Sequence, residues 1–130
     1  MTKIVHISDL HTGYAQFRED LLLQTIDEIN KIQPSAVVIS GDLTDQGFYR
    51  EFIEAKEYID LIQPKTLIVP GNHDARNIGD TVFEELFGKR YSVLELKEEA
   101  IKIIGLDSSE PDLGHGKIGR LQKKFMDYLS

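Results

Sequence analysis

Six side chains in this 130-residue sequence have the types and positions to grip a cation or move a proton. They are Asp9 and His11 in Ser-Asp-Leu-His, Asp42 in Gly-Asp-Leu-Thr-Asp, and Asn72, His73 and Asp74 in Gly-Asn-His-Asp. Each group follows a short run rich in Val, Ile and Leu. A turn after Pro70 needs only Gly71 and at most Asn72, so the imidazole and carboxylate that come next are surplus to chain reversal. Asp9 and His11 are two apart, and in an extended segment such residues point the same way, so both can hold one ion across Leu10. Carboxylates pressed together without a cation repel and stay partly protonated; a divalent metal removes that conflict. The chain has no cysteine, which excludes disulfides and thiolate metal sites and leaves oxygen and imidazole nitrogen as donors.

Taken singly, these residues have plainer uses. An Asp after a strand commonly closes an Asx turn, and Asp45 stands where it can cap the helix that follows. His6 sits inside an apolar run as a packed or partly exposed ring, and His115 in Leu-Gly-His-Gly reads as a loop residue. The plain readings leave unexplained why three separate runs all finish in ligand-type side chains.

The elements that must position these groups are legible in the apolar pattern. The runs at 3–8, 35–40 and 65–70 are rich in β-branched residues and too brief for good helices, so they read as buried strands. Between them, Phe17, Leu21, Leu22, Ile26, Ile29 and Ile32, then Phe52, Ile53, Tyr58, Ile59 and Ile62, recur at helical spacing, and each series ends at Gln-Pro. Strand, helix, strand, helix, strand predicts an α/β fold with a parallel β-α-β-α-β sheet, whose ligand crevice lies outside the carboxyl ends of the strands. Downstream, the pattern predicts a short helix closed by Gly88, a hairpin from the runs on either side of Lys-Glu-Glu, and a glycine-rich loop over 108–119. A final helix follows, on which Leu121, Phe125, Tyr128 and Leu129 share a face. With no repeat or linker, residues 1–130 read as a single domain.

Composition bounds the function classes. At 41% hydrophobic and 28% charged, the sequence reads as an ordinary globule, no apolar run approaches a membrane span, and the amino terminus reads as a mature start in the cytoplasm. A net charge of −7 argues against nonspecific nucleic-acid binding, which relies on positive surface. An acidic protein acting on a phosphate ester would need a local cation.

Ser-Asp-Leu-His, Gly-Asp-Leu-Thr-Asp-Gln-Gly and Gly-Asn-His-Asp, in that order on successive βα turns, resemble the first three blocks of the calcineurin-like metallophosphoesterases. The segment from Gly105 through Leu-Asp-Ser to the glutamine-bearing helix is similar to the cyclic nucleotide and glycerophosphodiester phosphodiesterase branch. The resemblance implies about the N-terminal half of an αββα sandwich. It implies Asp9 and His11 as ligands of a first ion, Asp42 as a bridge to a second, and Asn72 on that second ion. His73 would face the phosphate and the leaving oxygen, with Asp74 orienting its ring. The implied reaction is hydrolysis of a small phosphate ester, foremost a phosphodiester, by a metal-bridged hydroxide at a dinuclear Mn, Fe or Zn site. The family's later histidine blocks, which supply the remaining ligands, have no match before Ser130, leaving this chain two ions, one or none. The missing half, or a second copy, would cover the open sheet face. The alternative is a non-catalytic binding module or half-subunit of the same fold.

Overall fold

The structure, a computed structural model, describes residues 2–109 and 120–129. The readings of His115, of the glycine-rich loop from 110 onward and of the Leu121 side chain lie outside the described residues. Three parallel strands, β1 (Ile4–Ile7), β2 (Ala36–Ser40) and β3 (Thr66–Val69), form a sheet in the order β1-β2-β3, with Ile7 beside Ile39 and Ser40 beside Val69. Helix α1 (Glu19–Ile32) joins the first pair and α2 (Tyr49–Ile59) the second. Because the strands advance in one direction, crossovers of one hand lay both helices on the same face. There Ile26, Ile29, Val37, Ile39, Leu43, Phe52, Ala55, Ile59 and Phe83 build one buried cluster. The sheet residues of that cluster alternate along the strand, Val37 then Ile39, as the pleat requires.

Helix α1 ends as expected at Ile32, where Gln33 takes a left-handed conformation (φ 52°) ahead of Pro34. Helix α2 ends earlier than its apolar pattern suggests: Ile62 lies past the helix, yet remains buried in the same cluster. Burial rather than helical phase explains its place in the series. A 3-10 segment, His73–Ile78, follows β3 and leads into α3 (Gly79–Phe87), whose Phe83 packs edge-on to Phe52.

The predicted hairpin is present as β4 (Ser92–Leu96) and β5 (Ile101–Gly105), antiparallel across a 3-10 turn over Lys97–Glu99. It lies against β3 on the face away from α1 and α2, where Gly105 meets Leu67 and Val69 so closely that a Cβ would sit 2.6 Å from Leu67 Cδ2. At the β1 end of that face Ile4 is 44% exposed, so the cover is partial among the described residues. Helix α4 (Arg120–Leu129) keeps Phe125, resting on Tyr91, and Leu129 partly buried as its apolar residues predict, but Tyr128 is 87% exposed and Gln122 is buried beside them. The Gln122 amide pairs with both the N–H and the carbonyl of Asp107.

Candidate metal centre

The loops leaving the carboxyl ends of β1, β2 and β3 are stitched together by backbone hydrogen bonds that continue the sheet beyond its strands. Asp9 N–H donates to Gly41 O, His11 N–H to Asp42 O and Thr12 N–H to Leu43 O, each at 3.0 Å, and Asp45 N–H returns to Thr12 O. This pairing sets Asp9 and His11 alongside Asp42. The extended geometry expected for residues 9–11 is not found, because β1 ends at Ile7 and both Asp9 (φ 62°) and His11 (φ 51°) are left-handed. The two side chains meet because the backbone bends on either side of Leu10. Asp42 is left-handed as well (φ 50°). Such conformations are uncommon for residues with a Cβ and concentrate where function over-determines the backbone.

The result is a compact donor set. His11 Nε2 lies 3.4 Å from Asp9 Oδ1 and 3.9 Å from Asp42 Oδ2, and one ligand atom from each of the three falls within 4.8 Å of the others. Two carboxylates and an imidazole at this spacing, with no lysine or arginine ion-paired to either Asp among the described residues, fit a divalent cation. Asp42 is aimed by the next loop: His73 N–H donates to its Oδ1 at 3.0 Å, leaving Oδ2 toward His11. That approach requires glycine at position 71, where a Cβ would fall 2.3 Å from Asp42 Oδ1 and 2.4 Å from Asp42 N. Asn72, between Gly71 and His73, opens the 3-10 segment at the same rim.

His73 and Asp74 diverge. The His73 ring packs edge-on to His11 with centroids 5.0 Å apart, and its Nδ1 lies 2.8 Å from the Asp45 carbonyl oxygen. A carbonyl only accepts, so Nδ1 carries the hydrogen and Nε2 is the free nitrogen. Asp74 does not orient this ring. Its carboxylate is fully buried and takes four donors: Leu43 N–H and Gly71 N–H on Oδ2, Thr44 N–H and Thr44 Oγ1 on Oδ1, all between 2.8 and 3.0 Å. Burial pushes the Asp74 carboxyl above its usual range, while these donors pull against the rise. It is the pin that holds the β2 loop to the β3 loop.

The group that steadies His73 is instead Asp45. Its carboxylate Oδ1 also stands 3.8 Å from Nδ1, and His11, Asp45 and His73 form a second set of donors within 4.8 Å of one another. Asp45 does not cap α2, whose first turn is closed by Glu51 reaching back to Phe48 N–H. A backbone carbonyl has no signature in a sequence, which is why this contact is invisible there. The neighbouring Gly47, tightly placed against the Asp74 and Arg76 carbonyls, is the one trace of it. His6, as expected, stays out of the site; it is exposed on β1 and bonds Ser40 across the sheet.

The comparisons with known proteins agree with this architecture. A protein of Arcobacter nitrofigilis described as a probable glycerophosphodiester phosphodiesterase is 31% identical over 125 residues, covering 87% of this chain and 46% of the relative. A probable cyclic nucleotide phosphodiesterase of Ruthia magnifica is 31% identical, covering 62% of the chain and 37% of the relative. One of the subunits of the SbcCD nuclease of Staphylococcus epidermidis is 36% identical, covering 63% and 26%. The chain thus spans less than half the length of each of these curated relatives. The family model for calcineurin-like phosphoesterases matches residues 2–127, through all three loops of the metal centre, and the chain belongs to that family.

Proposed function

We infer that the chain carries the first half of a metal-dependent phosphodiesterase site, in which divalent ions and His73 act together on one phosphodiester bond. The observation that carries this reading is the convergence of Asp9, His11 and Asp42 within chelating distance, with the His73 ring packed on His11. The named relatives differ in the alcohols their substrates carry, yet glycerophosphodiesters, cyclic nucleotides and nucleic acids all contain a phosphodiester. Substrate class is therefore read at that level.

Asp9, His11 and Asp42 would hold the first ion, and Asn72, at the same rim, would with Asp42 supply donors toward a second. When bound, the ions supply charge stabilisation of the phosphate oxygens and a water acidic enough to ionise near neutral pH. The protein's own part is orientation and proton delivery. His73 N–H fixes the Asp42 carboxylate, and the Asp45 carbonyl fixes the His73 ring, so that Nε2 is presented on the opposite side. As a water oxygen bonds to phosphorus and the phosphorus–oxygen bond to the alcohol breaks, Nε2–H of protonated His73 would give its proton to the departing oxygen. A cleft of about 430 Å³ opens directly beside Asp9 and His11, walled by Leu10, Tyr14, Phe17, Leu21 and Leu22, and its apolar lining suits the carbon skeleton of the ester.

The test is Mn²⁺-dependent hydrolysis of bis(p-nitrophenyl) phosphate by the chain and by any longer product of its gene. The reading expects turnover that falls about 100-fold or more in His73→Ala while Mn²⁺ binding persists, the size of a lost general acid. Mn²⁺ binding without turnover, unaltered by His73→Ala, would instead favour a metal-binding module with no hydrolytic role.

A further inference from the structure

Glu51 lies outside the donor set, in the first turn of α2, yet it is 3% exposed and touches both the loop that carries His11 and the loop that carries Asp45. On one side its Oε1 accepts Gln46 N–H at 2.9 Å and Phe48 N–H at 3.3 Å, which fastens the loop just after Asp45. On the other side its Oε2 sits against Gly13: a Cβ there would be 1.9 Å from Oε2 and 2.6 Å from the carboxyl carbon. Gly13 belongs to the turn in which Tyr14 N–H returns to His11 O. The Glu51 backbone joins in as well. The buried Thr12 hydroxyl stands 2.8 Å from Glu51 O and 2.9 Å from Leu43 O, donating its single hydrogen to one of them at a time.

A helix cap alone requires only the bond to Phe48 N–H. The additional bond to Gln46 N–H and the packing on Gly13 place this carboxylate between the His11 turn and the Asp45 loop, and Asp45 in turn holds His73. We propose that Glu51 is a positioning residue that sets the His11 loop in register with the Asp45–His73 pair, and so controls both cation affinity and the orientation of the His73 ring. This rests on the metal-site reading for its first consequence only; the second concerns the ring alone.

The experiment compares the full chain with Glu51→Ala, Glu51→Asp, Glu51→Gln and, as a control for lost stability, Phe83→Ala, all well below their melting temperatures. Histidine ¹⁵N spectra without metal report which His73 nitrogen carries hydrogen, and calorimetric titration with Mn²⁺ reports affinity. Glu51→Ala should mix the His73 tautomers and weaken Mn²⁺ binding about tenfold or more, as losses behind a ligand shell do. Glu51→Gln, which keeps an acceptor oxygen at the same reach, should restore a single Nδ1–H form and come within about threefold of the parent affinity, well inside that loss. Phe83→Ala should change neither. Should Glu51→Ala not fold, Glu51→Asp, shorter by one methylene, carries the same expectation. A single unchanged His73 tautomer in Glu51→Ala or Glu51→Asp, or the same mixing in Phe83→Ala, overturns the proposal. A parent chain that does not bind Mn²⁺ overturns the metal-site reading instead, and the tautomer arm then decides the role of Glu51 by itself.

Discussion

Asp74 shows how a residue chosen for chemistry can turn out to govern geometry. Its neighbour His73 faces the donor set, while Asp74 faces the protein interior and satisfies three backbone N–H groups and a hydroxyl. Truncating it leaves those donors buried without partners, at a cost of about 1–3 kcal/mol for each one that water cannot reach. Asp74→Ala should therefore lose about 3 kcal/mol or more in urea unfolding, and Asp74→Asn, which keeps one acceptor oxygen, should lose less. A loss under about 1 kcal/mol in Asp74→Ala would mean the loops are held by other means. The adjacent residues carried equal promise in the sequence because side-chain type was visible and direction was not. The grouping of Asp9, His11 and Asp42 is legible because all three closely follow the apolar runs that become β1 and β2. The left-handed backbone at Asp9 and His11, and the Asp45 carbonyl on His73, depend on contacts between loops about 30 residues apart, which no local pattern records.

At the scale of elements, the three parallel strands and two crossover helices follow from β-branched runs alternating with apolar residues at helical spacing, and both kinds of signal survive in the structure. Helix α4 is a partial exception. The apolar pattern groups Tyr128 with Phe125 and Leu129, but Tyr128 is exposed, and the buried position beside them is taken by Gln122, whose side chain closes two hydrogen bonds on the Asp107 backbone. Asp107 is anchored further by Arg90, 3.1 Å from its carboxylate and also bound to Glu84 at 2.8 Å, so β5, α3 and α4 meet at one polar junction. Gln122→Ala should detach α4 selectively. Its amides should lose hydrogen-exchange protection while those of β2, in the central sheet, keep theirs. Uniform loss across the chain, or none in α4, would contradict the latch.

Across the whole molecule the net charge is −7, so the proposed action on a phosphodiester would need positive charge at one rim of the sheet, which a cation held by Asp9, His11 and Asp42 would supply. Among the described residues no helix is long and apolar enough to cross a membrane. Asp9 and His11 follow β1 and Asp42 follows β2, so an ion held by all three would cross-link two loops and stabilise only the folded state. At 100 times its dissociation constant such an ion contributes about 2.7 kcal/mol, which should appear as a rise of several degrees in melting temperature. Calorimetric titration of Mn²⁺ into the chain, beside Asp42→Asn, measures the same coupling most directly. The donor set predicts saturable binding to the parent and binding about tenfold or more weaker in Asp42→Asn, because that carboxylate is shared with both His11 and the His73 backbone. Equal affinity in the two proteins, or none in either, would contradict a metal centre at these strand ends.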